Sequence, residues 1–135
     1  MPRPQVDGAG QAKLQTLDDA LALAQTLHGH VEKLAVAIRN SQPTGGFAQQ
    51  LKRSGTPLVG LLRSQFQPLS DLAADLVLVA GRAGGTETVR LRMLRERVAQ
   101  LKTALELATQ QVLTKHALAD EGDASRAPGS DGDRA

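Results

Sequence analysis

His28 and Glu32 are the first residues along the chain whose types and spacing could do chemistry. Four residues apart on a helix, they would share one face and could hold a metal ion between them. Two protein ligands make a poor site, and no further ligand stands at a suitable spacing, so no metal is expected. His28 also shares a heptad position with Leu14, Leu21 and Ala35, which makes it a core-edge histidine bonded to a backbone carbonyl or a water. The Gly81-Arg82-Ala83-Gly84-Gly85 stretch opens onto a helix N-terminus and could cradle an anion with help from Arg82. It follows a helix rather than a strand and lacks the Lys-Ser/Thr ending of a P-loop, so a turn between antiparallel helices accounts for it. Cysteine is absent, which removes disulfides, thiolate catalysis and Cys-based zinc sites. Asp18 and Asp19 lie in the first turns of a helix, where acids are ordinary dipole partners. The histidines form no arrangement with a serine and an acid. Neither catalysis nor a cofactor is expected.

Arg90, Arg92, Arg95, Arg97 and Lys102 form a basic run in the linear sequence. On a helical wheel they divide, with Arg92, Arg95 and Lys102 on one flank of an apolar seam and Arg90 and Arg97 on the other. Glu96 and Glu106 stand among the first group, and Lys102 and Glu106 are spaced as an i,i+4 pair. Charges flanking a seam are the solvated edges of packed helices. Nucleic-acid binding by this run would go through phosphates without sequence preference, because the chain has no Trp or Tyr to stack on bases.

The stretch Gln25-Thr26-Leu27-His28-Gly29 resembles, over five residues, the phospho-acceptor motif of histidine-phosphotransfer domains, which are helical bundles. That motif reads His, two residues, Lys, Gly. Here Gln25 stands at the acceptor position and His28 at the lysine position. The resemblance implies a degenerate signalling domain without phosphotransfer, since a glutamine cannot carry a phosphoryl group.

These residues must be positioned by helices. From Thr86 to His116 the apolar residues fall at Leu91, Leu94, Val98, Leu101, Leu105, Ala108 and Val112, an unbroken 3-4 spacing. A first helix is expected from about Gln11 to Arg39. One seam on it runs Leu14, Leu17, Leu21, Ala24, His28, Val31, Ala35 and Ile38, and Ala20, Leu23, Leu27 and Leu34 make a second beside it. Together they cover about half the circumference, enough to touch two neighbours or a copy of the chain. Asn40 to Gly46 should end this helix. Thr56 as N-cap and Pro57 at the first helical position open a second long helix, running to Ala80. Pro68 should kink that helix rather than stop it, because the stripe Leu58, Leu61, Leu62, Phe66, Leu69, Leu72, Ala73, Leu76 and Val77 keeps its phase across it. Arg63, Gln67, Ser70, Asp71 and Ala74 would face solvent. Leu78 is the one large residue out of phase.

The expected fold is therefore all-α: an antiparallel three-helix up-down-up bundle of long helices over residues 11–119, with a short extra helix allowed at 47–53. Residues 1–10 read as a disordered Pro/Gly-rich lead and residues 120–135 as a disordered acidic tail. The 135 residues are 41% hydrophobic, enough for one core, which Leu and Ala make aliphatic and helix-forming. Residues 86–116 carry six Lys/Arg against three Glu, whereas 117–135 carry five acids against two arginines. No apolar run is long enough to cross a bilayer and no signal peptide is evident, so a cytoplasmic protein is expected. The function expected is a non-catalytic helical interaction module (adaptor, scaffold or assembly subunit) binding a protein partner or itself through Leu23, Leu27, Leu34 and Leu78. Sequence-neutral nucleic-acid association through the arginine-rich helix is the alternative.

Overall fold

The computed structural model describes residues 5–82 and 86–118. Four helices are found among them: α1 (Gly8–Arg39), α2 (Gly45–Arg63), α3 (Gln67–Gly81) and α4 (Glu87–Lys115). Each packs against its chain neighbours, α1 also packs against α4, and the diagonal pairs stand apart. Cross-helix contacts give the directions. Glu32 of α1 meets Arg95 of α4, Gly55 of α2 lies by Leu27 of α1 and Val77 of α3, and Asp75 of α3 meets Arg97 of α4. All four interfaces are antiparallel, so the chain runs up, down, up, down around a square.

The three-helix expectation is corrected between Phe47 and Ala80. Residues 47–53 are the first half of α2, which continues through Pro57. Thr56 is no N-cap; its hydroxyl donates to the Lys52 carbonyl one turn back. The helix expected to bend at Pro68 stops instead. Phe66 leaves helical geometry (φ −135°, ψ 63°), and Pro68 falls in the first turn of α3. There its missing N–H would have had no partner anyway, and its restriction on the preceding residue favours a boundary. The reversal re-aims α3. Ser70, expected to face solvent, is buried and donates to the Val59 carbonyl of α2 at 2.9 Å.

Both long helices are well terminated. Asp7 caps α1, accepting from the Gly10 N–H at 2.7 Å, and Thr86 caps α4, accepting from the Val89 N–H at 3.2 Å. After Asn40, the Ser41 N–H reaches the Ile38 carbonyl and the Gln42 N–H reaches that of Ala37. Ser41 takes a φ of 55° to close this Schellman turn, a place more often given to glycine.

Residues 5–10 are not a loose lead. Val6 is buried and forms an antiparallel bridge with Ala117, and α1 begins three residues earlier than expected. The core is a continuous aliphatic column from Val6, Leu14 and Val112 through Leu17, Leu62, Leu105 and Leu101 to Leu34, Leu51 and Leu94. Residues 1–4, the Ala83–Gly85 part of the glycine-rich turn, and the acidic tail from residue 119 lie outside the described residues.

Candidate interaction surfaces

The broad apolar face of α1 is consumed within the bundle. Leu27 (1% exposed) and Leu34 (6%) belong to the core, because α2 and α4 flank α1 on both sides. Neither is available to a partner, and Leu23 is half-buried against the same core. Leu78, by contrast, is 64% exposed. The Asp75–Arg97 pair sets the α3–α4 register and places Leu78 beside the first two turns of α4. In those turns Val89 is exposed and Met93 half-buried.

The basic run divides as its helical phase requires. Arg97 turns to Asp75 of α3. Arg95 turns the other way and grips Glu32 of α1 with two bonds, from Nε at 3.0 Å and Nη2 at 2.8 Å. This charge-assisted fork holds the Glu32 carboxyl below its ordinary pKa, against a smaller opposing effect of desolvation. Lys102 meets His28 of α1 rather than Glu106, with Nζ 3.2 Å from Nδ1. Arg90 lines a small cavity where the four helices converge, with Thr44, Phe47 and Glu87. Arg92 is exposed, with no ion pair among the described residues.

His28 is not the core-edge residue its heptad position suggested. It lies on the rim of a groove between α1 and α4, its side chain 47% exposed. The true seam uses Leu27 and Val31 on either side of it. What the sequence reading missed is how α4 completes the site: Arg95 and Lys102 reach across to the two α1 residues, Glu32 and His28, that were singled out for another reason. Their shared flank on the wheel was the available signal.

A second polar cluster closes the opposite end. The Asp7 N–H donates to the His116 carbonyl at 3.0 Å and the Leu118 N–H to that of Gln5 at 3.0 Å. His116 Nδ1 is 3.1 Å from the Asp7 carboxylate and its Nε2 is 3.3 Å from Lys13 Nζ. The Gly10 N–H holds the Asp7 carboxyl below its ordinary pKa, and His116 adds to the effect. Gly10 fits because a Cβ there would stand 2.6 Å from that of His116.

Among the described residues no group of three His, Asp or Glu could hold a metal ion, and no helix is long and apolar enough to cross a membrane. No family model matches the chain, and neither a curated protein nor a solved structure is found to be similar to it.

Proposed function

We propose that the protein is a non-catalytic helical interaction module that assembles through the outer face of α3 and the start of α4. The observation that carries this reading is Leu78, a large aliphatic side chain 64% exposed in a helix whose other apolar residues turn inward. A side chain of that size loses about 2 kcal/mol of hydrophobic stabilisation by staying in water, which a partner surface would recover. Exposed Val89 on the adjoining turns of α4 extends the apolar surface. Nucleic-acid association is the weaker reading, since Arg95 and Arg97 are each spent on a carboxylate of a neighbouring helix.

The test is the absolute mass in solution, by light scattering after size exclusion, for the wild type and Leu78→Ser. A wild-type mass at a multiple of 14.2 kDa that returns to 14.2 kDa in the variant, with helicity retained, supports assembly through this face. Equal masses for the two proteins remove Leu78 from the reading.

A further inference from the structure

The groove between α1 and α4 holds several hydrogen-bond donors that have no acceptor among the described residues. Its volume is about 430 Å³, within the range of small-molecule sites. Val31, Val98 and Ala99 contribute apolar lining, and His28, Glu32, Arg95, Lys102, Thr103 and Glu106 the polar groups. An ammonium group can only donate, so the Lys102 contact makes His28 Nδ1 the acceptor and puts the ring's hydrogen on Nε2. That Nε2 stands 3.9 Å from the Glu32 carboxylate, too far for a hydrogen bond. Glu32 has both oxygens engaged by Arg95, whose Nη1 hydrogens are left over. Lys102 retains two N–H groups and Thr103 a hydroxyl. Arg95 and Lys102 balance Glu32 and Glu106 among the lining residues, so the placed donors, and not net charge, are what favour an anion.

The geometry points to a binding site for a phosphate monoester. The phosphoryl oxygens accept from His28 Nε2–H, Lys102 and the Thr103 hydroxyl, and the ester group covers Val98 and Ala99. A tetrahedral dianion suits donors that come from two helices better than a planar carboxylate does, and it presents more acceptor sites. The groove residues share no member with Leu78, Val89 or Met93, so the site stands or falls independently of the Leu78 face.

The experiment follows backbone amide shifts of the full chain by NMR during titration with inorganic phosphate and with phenyl phosphate, against sodium chloride at matched ionic strength. Saturable shifts are expected at Ala99, Lys102 and Thr103, with phenyl phosphate binding several-fold more tightly than phosphate. Lys102→Gln and His28→Gln should each weaken binding about tenfold, the effect of losing one charge-assisted bond, and Lys115→Gln should not. All three positions lie at least partly in solvent, and circular dichroism checks that the variants keep their helicity. Shifts that never saturate, that sodium chloride reproduces, or that saturate with unchanged affinity in Lys102→Gln would overturn the site. Equal affinity for the two probes would overturn the monoester as its ligand class.

Discussion

Gly29 and Gly55 both sit inside helices, and a methyl group would treat them oppositely. At Gly29 a Cβ would meet nothing within 4 Å, so only the helix preference counts. Gly29→Ala should therefore stabilise the protein by about 0.5–1 kcal/mol. At Gly55 the added Cβ would stand 2.5 Å from Cγ2 of Val77. Valine is stiff at χ1, so α2 and α3 must separate, and such overpacking costs about 1–3 kcal/mol. Gly55→Ala should lower stability despite its better helix propensity. Urea unfolding midpoints of the two variants check both signs, and two shifts of the same sign would contradict this account. None of this was legible in the sequence, where Gly29 closes the phospho-acceptor-like stretch and Gly55 stands just before the expected N-cap Thr56. Close approach depends on what the neighbouring helix presents, and Val77 is known only once α3 is placed.

At the scale of elements, apolar periodicity located most of α1, α3 and α4 but missed the first half of α2 and miscounted the helices. The stripe from Leu58 to Val77 keeps its phase whether the chain bends at Pro68 or reverses there, because both outcomes bury the same leucines. Phase therefore could not decide the matter; the non-helical backbone of Phe66 and the position of Pro68 in the first turn of α3 did. Ser70 distinguishes the two outcomes experimentally. In a single kinked helix it would face water, and Ser70→Ala would change little. In the reversed hairpin its hydroxyl crosses to the Val59 carbonyl in a buried interface, and its loss should cost about 1 kcal/mol. Chemical denaturation reads the difference, and a cost indistinguishable from zero would count against the hairpin packing. The α1–α4 groove was half legible for a related reason. The wheel grouped Arg95 with Lys102 and the spacing paired His28 with Glu32, but which helix faces which follows from the number of helices.

At the scale of the whole molecule, two carboxylates tie α1 to α4 at separate levels, and both connect stability to pH. Asp7 joins the start of α1 to His116, and Glu32 is forked by Arg95 further along the same interface. Each is held below its ordinary pKa in the folded protein, Asp7 first by the Gly10 N–H and Glu32 first by Arg95. A lowered folded pKa means that the unfolded chain binds protons more readily through the titration range, so stability rises with pH there. The contribution is complete above the ordinary carboxylate range, about 4, and is lost as pH falls through it towards the lower folded values. Both side chains are about half exposed, so water and salt screen the effect and its size is modest. Urea unfolding followed from pH 6 to pH 3 should show a falling midpoint, less steep at high salt. The double variant Asp7→Asn, Glu32→Gln isolates the cause. Asparagine still caps a helix N-terminus and glutamine still accepts from Arg95, but neither titrates. Its midpoint should start lower at pH 6 and fall less towards pH 3. An undiminished acid slope in that variant would assign the pH dependence to other carboxylates, and would leave the α1–α4 interface held by its aliphatic column alone.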